Sequence, residues 1–160
     1  MIQPPVALNL ELRLSQPGLD VQAQFRVAPG PVCAITGRPG SGKTALMQAA
    51  AGLLPAQGGR ITLGSDVLFD HPSGVRLPPD KRRIGWVDGE GFLFGHLKVI
   101  DNLRFGWKRS THHLPGLNLD GIVEWLQLKT VLDHWPDQLT LLQRQKVALA
   151  RALLASPRAL

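Results

Sequence analysis

Residues Gly37-Arg38-Pro39-Gly40-Ser41-Gly42-Lys43-Thr44 match the pattern G-x-x-x-x-G-K-[ST] at every required position. The chemistry such a run can do is phosphate binding. Glycines let successive backbone N–H groups turn inward with no side chain blocking the phosphates. Residues 43–54 favour helix, and the N–H groups and dipole at a helix start attract anions. The Lys43 ammonium can reach terminal phosphates, and the Thr44 hydroxyl can ligate magnesium. The expected ligands are therefore a nucleoside triphosphate and Mg2+.

The flanking elements must hold this loop. Val32–Thr36 is a short apolar run bounded by glycine, which suits a strand buried on both faces of a parallel sheet. Upstream, Val6, Leu8, Leu10, Leu12 and Leu14 alternate with polar or small residues, as do Val21, Ala23, Phe25 and Val27. This period of two predicts a hairpin turned at Pro17-Gly18, followed by a second turn at 28–31. Downstream, 60–63, 67–69 and 83–87 read as short strands, and 71–81 as a surface loop. Residues 101–107, 119–128 and 142–154 read as helices, with Leu119, Ile122, Val123 and Leu126 on one face. Ser156-Pro157 ends the last of them.

Composition bounds the rest. Hydrophobic residues make up 44%, enough for a core. The net charge of +6, with 12 Arg against 6 Lys, attracts phosphates, nucleic acid or an anionic surface without choosing among them. No nucleic-acid motif accompanies the arginines, so no nucleic-acid partner is expected. Cys33 is the one cysteine and sits in an apolar run, which predicts a small core residue. His96, His112 and His113 lack partners at metal-ligand spacing and read as surface residues. Trp86, Trp107, Trp125 and Trp135 read as core or interface. No signal peptide or membrane span is legible, so a cytosolic location is expected.

The chain resembles the first part of ABC transporter ATPases, and within them the subunits that serve molybdate import. Four stretches carry the resemblance. They are the loop at 37–44; Lys81-Arg82-Arg83-Ile84-Gly85-Trp86-Val87; Leu93-Phe94-Gly95-His96 with Asn102-Leu103-Arg104-Phe105-Gly106; and Leu139–Leu154. The last is similar to the family's signature L-S-G-G-E-x-Q-R and its helix. The resemblance implies an α/β P-loop NTPase fold: an incomplete RecA-like core, an N-terminal antiparallel β subdomain and a C-terminal helical subdomain. The whole of 1–160 would be a partial nucleotide-binding domain. Its β subdomain with loop and helix would span about 1–70, and its Q-loop region and helical subdomain about 83–160. It further implies ATP and Mg2+ as ligands and a membrane permease partner docking near residues 89–102. A like subunit as dimer partner and a cytoplasmic site on the inner membrane, reached through the permease, are implied as well. The cargo would be molybdate or a similar oxyanion.

Several positions depart from the family pattern. Gly89 stands where the Q-loop glutamine is expected, with Glu90 beside it as a further metal ligand or a solvated carboxylate. Leu141 and Leu142 stand at the signature glycines, while Thr140 keeps a hydroxyl and Gln143 follows. No aromatic suited to stack on adenine precedes the loop; Phe25, the first aromatic, alternates with core residues. The residues given reach Leu160, where the family enters the strand carrying its Walker B aspartate. The expectation is a truncated, hydrolysis-deficient ATP-binding subunit. The alternatives are a soluble P-loop phosphotransferase, which has no reason to carry a signature-like helix, and a non-catalytic or degenerate nucleotide-binding protein.

Overall fold

The computed structural model describes residues 6–16, 18–30, 32–110, 113 and 115–160. Pro17, Pro31 and His112, which entered the turn and histidine readings, lie outside them. The chain divides into two compact units, one up to Ile84 and one over Gly85–Leu160.

In the first unit the period-two segments form β1 (Leu8–Gln16) and β2 (Leu19–Val27), paired antiparallel from Leu8↔Val27 to Gln16↔Leu19. β1 also pairs antiparallel with β3 (Gly58–Leu63), placing Leu10 opposite Ile61. β4 (Asp66–Asp70) and β5 (Val75–Arg76) complete a sheet of order β2-β1-β3-β4-β5. Leu10, Leu12, Leu14, Ile61, Leu63 and Leu68 are buried on its inner side. Alternation made this placement obligatory, since a one-residue slip would turn the leucines outward. Phe25 is half-buried in β2.

Helix α1 (Lys43–Ala51) buries Leu46, Ala49, Ala50 and Ala51. It stops earlier than residue 54 because Gly52, at φ 83°, adopts a left-handed conformation that few other residues tolerate. Its N–H donates to Ala49 O at 3.1 Å, and that of Leu53 to Gln48 O at 2.8 Å. Arg82 closes this end further. It sits in a one-turn helix α2 (Pro79–Arg82) and is buried. Its Nη1 donates to Ala49 O and Ala50 O at 2.8 and 2.9 Å, and its Nε to Leu77 O at 2.8 Å. Burial lowers the pKa of this guanidinium from its ordinary value, yet a cation at a helix C-terminus is where the dipole favours one.

Two expected strands are corrected. Residues 32–38 belong to no strand and are exposed, with Val32 98% accessible. A strand exists only with a paired neighbour, and every ladder registered among the described residues is antiparallel and elsewhere. Cys33 is exposed for the same reason, not a core residue. Residues 83–87 form no strand beyond an isolated bridge at Ile84, and Arg83 is left-handed at φ 54°. In the second unit Gly85 N–H donates to Ala159 O at 2.8 Å, one ladder contact without continuation. The expected loop at 71–81 holds β5 and α2 instead of being wholly irregular.

The second unit is helical. Helices α3 (Val99–Arg109), α4 (Leu119–Trp125) and α5 (Leu141–Leu154) surround Val99, Leu103, Ile122, Val123, Leu128, Val131, Leu139, Val147, Ala150 and Leu154. Leu119 and Leu126 pack against this core as their spacing predicts. α4 ends before Leu128 because Gln127 turns left-handed, at φ 57°. Short 3-10 turns at Lys129–Val131 and Pro136–Gln138 lead to α5. Trp107 is half-buried against the core and stacks on His113 at 3.5 Å, whereas Trp125 and Trp135 are exposed. No helix among the described residues is long and apolar enough to cross a membrane.

Arg82→Ala should lower stability by about 2–4 kcal/mol, because three carbonyls lose a buried charged donor and a cavity opens. Urea unfolding followed by circular dichroism checks this. A loss under about 1 kcal/mol would mean that water replaces the guanidinium freely.

Candidate functional site

The phosphate-type loop forms the N-terminal approach to α1 in the first unit. Gly42 is the N-cap, left-handed at φ 85°, and offers no capping side chain. A Cβ here would collide with Val21 of β2 and lie 3.2 Å from Leu19 Cδ1, so the chain can press against the sheet only with glycine. The first turn of α1 holds no acidic residue. Its leading N–H groups have no intrahelical acceptors, and nothing in that turn opposes an anion.

Lys43 folds back into the loop. Its Nζ donates to Gly37 O at 2.8 Å, Arg38 O at 2.7 Å and Ser41 Oγ at 3.4 Å. Ser41 N–H donates to Arg38 O at 3.2 Å, closing the turn through Pro39 and Gly40. The ammonium thus stands in the hollow of the loop with donors that a phosphate oxygen could take over. Gly37 to Ser41 and Thr44 are exposed, while Lys43 is half-buried. The donor set fits an anion: one ammonium, an uncapped helix start and two hydroxyls. Thr44 Oγ1 is an exposed hydroxyl oxygen of the type a hard cation such as magnesium takes. No group of three or more His, Cys, Asp or Glu among the described residues is arranged to hold a metal by itself.

The remaining predicted residues lie in the second unit. Gly89 and Glu90 are exposed in a turn, and Gly89 O accepts from Gln145 Nε2 at 2.6 Å. Thr140 and Gln143 form a capping box at the start of α5. Gln143 N–H donates to Thr140 Oγ1 at 3.3 Å, and Thr140 N–H to Gln143 Oε1 at 2.9 Å. Their polar atoms are thereby engaged with the helix end. Leu141 and Leu142 are 47% and 62% exposed, presenting apolar surface where the family pattern has glycine. Phe92 is exposed, Leu93, Phe94 and Leu97 are half-buried, and Val99 is core.

A P-loop opening an α-helix, in a unit built on an antiparallel sheet, and a second, helical unit agree with a P-loop NTPase fold of the ABC ATPase type. A solved ATP binding subunit of an ABC transporter superimposes with a TM-score of 0.72 and 20% identity, over 95% of this chain and 63% of that one. The family model described as ABC transporter matches residues 21–160, and the chain belongs to that family. The molybdenum import ATP-binding protein ModC of Paramagnetospirillum magneticum is 43% identical over 153 residues, 96% of this chain and 42% of that protein. The proteins of that name from Rhodospirillum rubrum and Haemophilus ducreyi are 42% and 39% identical, with 96% and 94% of this chain covered and 41% and 42% of theirs. The chain spans about two fifths of the length of these relatives.

Sequence reasoning did not single out Arg82, Asn102, Gln145 or Arg151 as organising residues. All four lay inside the stretches that carry the resemblance, but only three-dimensional contacts distinguish them from solvated neighbours.

Thr140→Ala should cost about 1 kcal/mol of stability through loss of the cap, with triphosphate affinity unchanged. Thermal unfolding and calorimetric titration measure the two separately. Lost affinity at unchanged stability would instead make Thr140 a ligand contact.

Proposed function

We propose that this chain binds ATP with Mg2+ through Gly37–Thr44, as part of the ATP-binding subunit of an ABC-type importer. The observation that carries this reading is the complete motif at an uncapped, acid-free helix start with the Lys43 ammonium already in the loop. Lys43 would exchange the Gly37 and Arg38 carbonyls for terminal phosphate oxygens. Thr44 would be the protein ligand to magnesium, and Arg38, Pro39, Gly40, Ser41 and Gly42 would supply the backbone cradle. Glu90, exposed in its turn, is a further oxygen donor by type.

The names of the relatives support molybdate or a similar oxyanion as cargo. Membership of the ABC transporter family is the ground on which a membrane permease as partner, a like subunit as dimer mate and a place on the cytoplasmic side of the inner membrane are also proposed. The segment 89–102, with Phe92 exposed at its start, is the proposed docking surface for the permease. Hydrolysis by the chain is proposed to be very slow. Gly89 brings no side chain to orient water or metal, and Leu141 and Leu142 set apolar surface against any facing triphosphate.

Calorimetry with MgATP should show binding that Lys43→Ala weakens by about 2 kcal/mol, roughly 30-fold, since a charge-assisted donor to phosphate is lost. Phosphate release should not exceed that of the Lys43→Ala chain. Equal affinities of the two proteins would rule out the loop as the binding site. Turnover near one per second, abolished by Lys43→Ala, would overturn the proposed hydrolytic defect.

A further inference from the structure

At the end of α1 away from the phosphate loop, the first unit holds a cleft of about 230 Å3. The helix end, β4, β5 and α2 enclose it, and Leu54, Pro55, Phe69, Leu77 and Pro78 give it apolar walls. Two guanidiniums also line it, Arg76 from β5 and Arg82 from α2. No carboxylate among the described residues does.

Arg82 is the deeper of the two, only 6% exposed. Gly52 makes room for it, since a Cβ there would lie 2.6 Å from its Nε. Its bonds to Leu77 O, Ala49 O and Ala50 O engage Nε and both protons of Nη1, so the N–H groups of Nη2 remain for a further acceptor. Arg76 lies exposed on the rim, with its guanidinium 5.1 Å from the centre of the Phe69 ring. Its Nη1 donates to Ala56 O at 3.1 Å, and its Nη2 meets His71 Nδ1 at 3.3 Å. These partners are carbonyls, a π face and an imidazole nitrogen, and none brings a negative charge. The ion pairs among the described residues lie elsewhere, at Lys81–Asp80, Lys98–Asp133 and Arg104–Asp101.

A buried cation without a counter-charge is costly, and a second cation on the same cleft raises its positive potential further. The C-terminal dipole of α1 offsets part of the Arg82 charge but does not reach out to the rim. An anion would relieve both, and a planar fork matches a carboxylate through two parallel bonds. The apolar walls decide what the anion carries. They give a bare oxyanion nothing in return for its lost hydration, but they suit a hydrocarbon body. The volume falls below the roughly 300–1,000 Å3 of sites for drug-sized ligands, so that body is small. We propose that this cleft binds a small organic carboxylate, its charge held by Arg76 and Arg82 and its apolar body against Leu54, Phe69 and Leu77. The nine residues of α1 separate the cleft from the phosphate loop, and the site does not rest on the proposed function.

The test titrates the 160-residue chain with sodium benzoate at constant ionic strength, followed by amide NMR. The Gly52, Phe69 and Leu77 amides should shift saturably, with a Kd on the order of 1 mM for so small a ligand. Benzamide, which is neutral and of the same shape, and inorganic phosphate, which has no apolar body, should each bind there about tenfold more weakly or less. Arg76→Gln keeps a donor for Ala56 O without the charge and should weaken benzoate by about tenfold. Absent or unsaturable shifts overturn the proposal, as does benzamide or phosphate binding there as well as benzoate, or undiminished binding by a folded Arg76→Gln chain. If Arg76→Gln alters the circular dichroism, Arg76→Lys decides. Weakening by about threefold or more then supports the two-pronged contact, and unchanged affinity overturns it. MgATP is titrated separately and read at Gly40–Thr44, so failure of this site and failure of the proposed function are told apart.

Discussion

Helix α1 has orphan donors at one end and orphan acceptors at the other, and the first unit depends on treating them oppositely. At the C-terminal end Gly52 turns the chain back, and Arg82 brings a buried cation to Ala49 O and Ala50 O. At the N-terminal end there is no capping side chain, no acid, and a glycine pressed against Val21. One end is closed by the protein and the other is left uncapped. The buried alanines between them fix the direction in which the open end points. Lys43 holds the loop closed on itself through its bonds to Gly37 O and Arg38 O, which the proposed function would exchange for phosphate oxygens.

What was legible in the sequence follows from how locally each feature is determined. The hairpin of β1 and β2 needs only alternation and a turn, and its register came out with Leu10, Leu12 and Leu14 inward. The start of α1 needs only the Gly42-Lys43 step. Family membership was likewise legible, because it rests on stretches such as 37–44 and 139–154 whose residue types are set by position. Val32–Thr36 failed because its strand character depends on neighbours far along a chain, and apolar composition without a paired neighbour leaves Val32 and Cys33 in water. Residues 83–87 failed for a related reason, since only Gly85 finds a ladder contact. Gln143 was legible as part of a motif, but its capping of Thr140 N–H is a fact of geometry.

The second unit shows how a departure from a family pattern can leave the scaffold intact. Thr140 and Gln143 still begin α5 properly, so replacing glycines by Leu141 and Leu142 alters the exposed surface without breaking the helix. Asn102 and Arg151 still bind loop 88–98, although Gly89 brings no side chain of its own. The contacts that hold the helical unit together are thus separable from the positions that depart from the family pattern.

On this account the open end of α1 recognises the phosphate chain, and the one aromatic before the loop, Phe25, is half-buried in β2. Calorimetric titration of the chain with magnesium tripolyphosphate, which carries neither base nor sugar, tests that claim most directly. The account predicts binding within about tenfold of MgATP, abolished by competition between the two ligands and weakened in Lys43→Ala. Tripolyphosphate that fails to bind while adenosine alone competes with ATP would contradict it.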